Sequence, residues 1–384
     1  MFKGHAPKLR LHSSSGWRRH ARGMLLPACA SMLAVTGLGT VPALAATRTQ
    51  LNLSSVVIKV ATYPYEGDDV LLGAAGLAKT RYQVQYQDLA SGALQTQAVN
   101  AGIADIGRAS GISNALFAAT GKVHFRSVAT LKIGTSEQDT IVLKSSGITS
   151  VAQLKGKSVA YIPDTTPQFF LLKQLQAAGL SWSDIKPVPF TQPADGLAAL
   201  LSGNVSAFAT FGDVATAEQH GAVILSSGGP YLKGTLGALE GSYNAYLPDL
   251  SNPAKMAAIA DFIARVNTSM AWARSHPTQY SSIVAKNTDQ PLAVELSTFE
   301  GEEASGNSEV VPNVPAAVST EQGYANAFIS VGAIKGPVNV AGTFSNQINS
   351  AIAADEAAYE KEYPSYFVVP AYAKSGEYNT SAGG

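Results

Sequence analysis

Between Ser150 and Asp213 the chain spells strand, helix, strand, helix, strand, and a similar order has already run once from Val56 to Leu143. This repeated grammar constrains the fold more than any other feature. A strand, a helix and a further strand make a crossover unit, and successive crossovers build a largely parallel sheet covered by helices. In the first run, 56–62 reads as a buried strand, 70–78 as a helix of small and apolar residues, and 82–89 as a half-buried strand of alternating polarity. A helix opened by Ser91-Gly92 and stopped by Gly102, a strand at 103–107, a helix at 113–119 and strands at 127–131 and 140–143 follow. In the second run the strands are 158–162, 186–190, 206–211 and 222–226, with helices at 167–178, 193–202 and 214–220. Thr166 suits a helix N-cap, Pro167 a first turn and Gly179 a C-terminal stop.

After Gly241 the pattern changes. Asn252-Pro253 opens a long helix with Met256, Ile259, Phe262, Ile263, Val266 and Met270 along one face, ending before Pro277. Residues 300–322, rich in Glu, Ser, Gly, Asn and Pro, read as an exposed loop, and Glu300, Glu302 and Glu303 as its solvated charges. Residues 373–384 read as a flexible tail.

The N-terminus points to export. Residues 1–45 hold six basic residues and no acidic one, an apolar run from Met24 to Leu44, and a small-x-small site at Ala43-Leu44-Ala45. Pro27, Gly37, Gly39 and Pro42 interrupt the run and disfavour a permanent membrane helix. The single cysteine, Cys29, sits in a poor context for lipidation. Once the leader is removed, the chain is mildly acidic and has no cysteine. It must be stabilised by its core rather than by disulfides, and its length suits two domains. A net acidic surface disfavours nucleic acid as a partner.

Three stretches carry a family likeness. They are Ala98-Val99-Asn100-Ala101-Gly102-Ile103-Ala104-Asp105-Ile106-Gly107, then Ser150-Val151-Ala152-Gln153-Leu154-Lys155-Gly156-Lys157-Ser158-Val159, then Pro193-Ala194-Asp195 through Gly203-Asn204-Val205-Ser206-Ala207-Phe208. Over about residues 55–290 the chain resembles the periplasmic substrate-binding proteins of ABC importers, in the aliphatic sulfonate, taurine and nitrate group. The resemblance implies an α/β clamshell of the type II kind, with two lobes joined by two crossings. Its expected divisions are a leader at 1–45, a first lobe begun by 46–140, a second lobe at 141–241, and a return hinge with C-terminal helices at 242–372. The crossings are expected near 138–144 and 242–247.

The same resemblance turns four loops toward a cleft. Tyr63 and Tyr65 could stack on a ligand or decorate a surface turn. Arg108 and Ser110 stand where relatives often carry Gly-Asp-Ala-Pro, and offer a guanidinium and a hydroxyl to an oxyanion, or a solvated cation. Thr165, Thr166 and Gln168 surround a helix N-terminus, which binds anions or is simply capped. Phe211 and Asp213 replace a Trp-Asp-Pro segment, with Asp213 alternatively capping the next helix. Tyr243 and Asn244, on the return strand, reach the cleft or pack the hinge.

Catalytic chemistry is sparse. His124, His220 and His276 lack metal-ligand spacing, and no nucleophile elbow or phosphate loop is present. Sulfinate desulfinases that resemble this fold use a cysteine, which the mature chain lacks. The expectation is a monomeric periplasmic receptor without cofactor or metal. It would trap an alkyl or aryl sulfonate, or a sulfate ester, and deliver it to a permease. Nitrate, a carboxylate or a thiamine-precursor pyrimidine are alternative ligands, and an exported enzyme is the alternative from another class.

Overall fold

The computed structural model describes residues 51–374 apart from Asp213 and Val331, so the expected leader, Cys29 and the tail from 375 onward lie outside the described residues. In chain order the first elements are β1 (Val57–Thr62), α1 (Asp68–Ala74), β2 (Gln83–Asp88), α2 (Gly92–Asn100), β3 (Ile106–Ser110), α3 (Gly111–Thr120) and β4 (Phe125–Ile133). Next come β5 (Gln138–Leu143), β6 (Ser158–Tyr161), α4 (Thr166–Ala177), β7 (Lys186–Pro189), α5 (Pro193–Leu201), β8 (Ala207–Phe211), α6 (Val214–Gln219) and β9 (Ala222–Ser227). A one-turn helix α7 (Gly229–Leu232) leads to β10 (Leu239–Tyr246), α8 (Pro253–Ser275), α9 (Pro277–Thr288), α10 (Leu292–Ser305), β11 (Glu309–Val311), α11 (Pro315–Ser330) and α12 (Asn349–Glu362).

These elements form two sheets flanked by helices. The first has strand order β11-β4-β10-β3-β1-β2 and the second β7-β6-β8-β5-β9. Each is mixed rather than largely parallel. β1 runs parallel to β2 and β3, whereas β10 is antiparallel to both β3 and β4. In the second sheet β6 runs parallel to β7 and β8, whereas β5 is antiparallel to β8 and β9. The reversal falls on the strands that carry the chain between sheets: a strand entering from the other lobe arrives without a crossover helix and can pair antiparallel. The passages occupy residues 134–137 and 228–238, because 138–143 and 239–246 are already paired strands.

The long helix forms where its sequence placed it. Asn252 accepts from the N–H groups of Ala254 and Lys255 at 3.0 and 3.2 Å, and Pro253 occupies the first turn. Its apolar face, with Ile259, Phe262, Ile263 and Val266 fully buried, packs into the first lobe's core. A second core joins Phe169, Phe170 and Leu175 of α4 to Ile112 of α3 and to Tyr324 and Phe328 of α11. Phe169 meets Tyr324 edge-on at 5.0 Å and Phe328 at 6.0 Å, so apolar packing connects the two lobes through α11.

Residues 300–322 correct the sequence reading. They hold the end of α10, β11 and the start of α11, not an exposed loop. Their polar side chains are used internally. Glu303 is buried, lies 3.6 Å from Arg274 and accepts from the Ser308 N–H at 3.0 Å. Ser305 Oγ accepts from the Thr135 N–H, and Asn313 donates to the Ser127 carbonyl. Residues 373 and 374, read from the sequence as the start of a flexible tail, instead close a short turn, Ala371–Lys374, with Ala373 buried; the rest of that expected tail lies outside the described residues.

Candidate functional site

The site begins at the end of β1. After Thr62 the chain turns sharply and α1 starts at Asp68, whose N–H donates to Thr62 Oγ1 at 2.7 Å. Gly67 makes the turn possible, because a Cβ there would lie 2.1 Å from Thr62 Oγ1 and 2.3 Å from the Tyr63 carbonyl. Tyr65 takes a left-handed backbone (φ 70) and is 61% exposed. Tyr63 is half-buried, with the Arg108 guanidinium 5.2 Å from its ring centre.

Arg108 and Ser110 lie on β3 itself, because that strand starts and ends three residues later than the sequence suggested. β3 is sandwiched between β1 and β10, and Arg108 stands directly opposite Tyr243. This register gathers three side chains. Tyr243 is fully buried and its hydroxyl donates to Asp68 Oδ1 at 3.1 Å. Arg108 Nε lies 3.5 Å from the same oxygen. The Arg108 N–H is held by the buried Gln95 side chain at 3.0 Å. Burial opposes the Arg108 charge, but Asp68 and the surrounding phenols outweigh it and raise its pKa. Burial pushes the Asp68 carboxyl up, and Arg108 and the Tyr243 hydroxyl pull it back only in part. Asp68 and Gln95 were missed by the sequence reading. Asp68 carried a faint signal, as an acidic residue opening a helix after a tyrosine-rich turn.

The second lobe contributes neutral groups. Thr165 is the N-cap of α4, yet its hydroxyl donates to the Ile162 carbonyl at 2.8 Å and makes no cap bond. Thr166, the first helical residue, donates to Gln138 Oε1 at 2.9 Å. Both threonines are buried. Gln168 turns back to accept from the Asp164 N–H at 2.9 Å. What α4 offers is therefore its first-turn backbone N–H groups, not its hydroxyls. Phe211 ends β8, half-buried and paired with Gln138. Asp213 lies outside the described residues. The N–H groups of Val214 and Ala215 at the start of α6 are taken by Glu137 Oε2, at 2.8 and 3.1 Å.

The two halves meet through Ser113 Oγ, which donates to the Asp164 carbonyl at 2.7 Å. This joins the start of α3, whose N-cap is Ser110, to the loop before α4. Asn244 is fully buried and donates to Asn114 Oδ1, next to Ser113 in the first turn of α3, at 2.7 Å. Asn114 also reaches Ser242 and Glu321. On the other side α9 and α10 add Tyr280, Phe299 and Glu302. Tyr280 and Phe299 lie 5.2 Å apart, and burial together with Glu66, Glu303 and Glu137 holds the Glu302 carboxyl well above its ordinary range. A cavity of about 550 Å³ opens beside the passages, lined in part by Thr135, Ser136, Ser227, Lys233 and Ser305. Among the described residues no group of three or more His, Cys, Asp or Glu could hold a metal ion, and no helix is long and apolar enough to cross a membrane.

A family profile described as NMT1/THI5 like matches residues 82–226. A protein of Escherichia coli (strain K12), named as an aliphatic sulfonates-binding protein, is 30% identical over 230 residues, covering 59% of this chain and 69% of the relative. The periplasmic aliphatic sulphonate binding protein SsuA from Escherichia coli has the same fold, with TM-score 0.64 and 24% identity over 75% of this chain and 92% of that one. The alkanesulfonate-binding protein SsuA from Xanthomonas axonopodis pv. citri, bound to MOPS, gives TM-score 0.65 and 20% identity over 75% of this chain and 98% of that one.

Proposed function

Because this chain belongs to the family of periplasmic substrate-binding proteins of ABC importers that includes the aliphatic sulfonate binders, we propose that it is a solute receptor for a small organic oxyanion, an alkyl or aryl sulfonate or a sulfate ester. It works in the periplasm after loss of its leader, as a monomer, and passes its ligand to a membrane permease. It does no chemistry on what it binds. Closure of the lobes over the ligand, about the passages at 134–137 and 228–238, is the working motion.

One observation carries this reading. The Ser113–Asp164 contact brings the β3–α3 junction, with Arg108 just behind it, up to the N-terminus of α4. A guanidinium presents paired N–H donors to an oxyanion, and a helix N-terminus presents backbone N–H groups and a positive dipole end. Both suit a tetrahedral head with several oxygens. Tyr63, Tyr280 and Phe211, all half-buried, are the aromatic supports proposed for an apolar body.

The test is thermal unfolding of the mature protein against alkyl and aryl sulfonates, sulfate esters, nitrate, carboxylates and pyrimidines. A ligand at about 100 times its Kd stabilises by roughly 2.7 kcal/mol, which moves Tm by several degrees. A shift restricted to sulfonates or sulfate esters, with the ligand recovered unchanged, is the expected result. A shift with pyrimidines or nitrate alone, or turnover of a bound sulfonate, would overturn the reading.

A further inference from the structure

We propose that Asp68 competes with the bound anion for Arg108 and takes up a proton as the anion seats, so that capture by this receptor is proton-coupled. The inference rests on the reading that an oxyanion binds at Arg108.

Asp68 is fully buried at the first turn of α1, fixed through its N–H to Thr62 Oγ1. Its Oδ1 takes the Tyr243 hydroxyl and faces Arg108 Nε at 3.5 Å, too far for a strong hydrogen bond. Asp68 Oδ2 and Arg108 Nε are both buried without a hydrogen-bond partner. The pair is balanced in charge but incompletely satisfied, an arrangement that a third group can enter. The other titratable groups facing it are Asp69 on α1, Tyr63 and Glu66 on the turn before it, Tyr86 on β2, Tyr243 on β10, Tyr280 on α9 and Glu302 on α10. All are acids or phenols. Among the described residues that face Asp68, Arg108 is the one cation.

A monoanion seated on that guanidinium places two negative charges on one buried positive charge. Like charges that share a buried site do not both stay ionised. Either the ligand is repelled or one of the acids is neutralised. Asp68 is the acid nearest Arg108, and burial has already moved its carboxyl toward the neutral form. One proton from solvent goes to Oδ2, the unpartnered oxygen. Tyr243 stays on Oδ1, and Arg108 turns its donors to the ligand. No covalent bond breaks. The linkage has a definite sign. Below the free protein's Asp68 pKa the carboxyl is already neutral and affinity is highest. As pH rises through that pKa, binding must bring in a proton and weakens, by up to tenfold in Kd per pH unit.

The experiment is titration calorimetry of the wild-type protein with ethanesulfonate, in two buffers of unlike ionisation enthalpy, neither of them a sulfonate, at several pH values between 5 and 8. Uptake approaching one proton per ligand at the upper end, with Kd rising as pH rises, is expected. Asp68→Asn should abolish the uptake, flatten the pH dependence and tighten binding by tenfold or more at pH 8. Binding without proton exchange in the wild type overturns the inference while leaving the sulfonate reading intact. So does an Asp68→Asn protein that binds more weakly with the pH dependence unchanged, since Asp68 would then merely brace Arg108. No binding of ethanesulfonate at any pH removes the underlying reading, and the inference with it. If the variant does not fold, the wild-type proton count alone decides.

Discussion

The two lobes meet through the same kind of strand-to-helix junction, yet there they present opposite chemistry. The first lobe offers a buried guanidinium at the middle of β3, already matched by the Asp68 carboxylate and the Tyr243 hydroxyl. The second offers uncharged threonines whose hydroxyls are turned inward, and the bare first turn of α4. A formal charge buried in protein must be paired, so a lobe that supplies one must supply its partner too. A helix terminus carries its partial charge without a counter-ion and can be left open. The difference teaches that affinity for an anion should rest mainly on the first lobe, with the second completing the enclosure.

Removing the charge tests this most directly. Arg108→Ala should weaken sulfonate binding by about 100-fold or more, in the range of 2–5 kcal/mol usual for truncating a buried charge partner, read by calorimetry. Unchanged affinity would erase the asymmetry between the lobes. A second test moves behind the first lobe, to Glu321, whose Oε2 is buried without a partner and whose carboxyl burial holds well above the ordinary range. An acid with a raised folded pKa binds its proton more tightly in the folded chain, so its contribution falls as pH rises from its unfolded value toward the folded one. Glu321→Gln should therefore gain about 1–3 kcal/mol over wild type in urea unfolding at pH 8 and little at pH 4. The smallest effect belongs to the second lobe. Thr166→Val breaks the bond to Gln138 and should cost about 0.5–1.5 kcal/mol of stability, with affinity changed by less than fivefold. A loss larger than that of Arg108→Ala would reverse the comparison.

What the sequence disclosed follows the range over which each signal acts. Helix α8 was readable because its cap, its first-turn proline and its apolar stripe all lie within the helix. Strand–helix alternation likewise announced both sheets. The trio of Asp68, Arg108 and Tyr243 was legible only in part. Arg108 and Tyr243 were suspected separately, but nothing local says that they face each other across a strand pair, with the Asp68 carboxylate between the guanidinium and the phenol. Residues 300–322 misled for a related reason. Composition sees Glu303, Ser305 and Asn313 as water-seeking, whereas their partners are Arg274, Thr135 and Ser127, far away in the chain. Polar content predicts exposure only when no distant partner waits.

The place of β10 in the first sheet has a consequence for how the chain is made. β3 and β4 follow each other closely in sequence, but the strand that belongs between them begins only at Leu239, after every strand of the second sheet. A chain emerging from a ribosome or threading through an export channel can complete the second sheet from one continuous stretch, 138–227. The first must wait with a gap at its centre until that whole lobe has come through. Contacts so far apart in sequence form late and slowly. That gap closes only when β10 arrives from the far side of the second lobe.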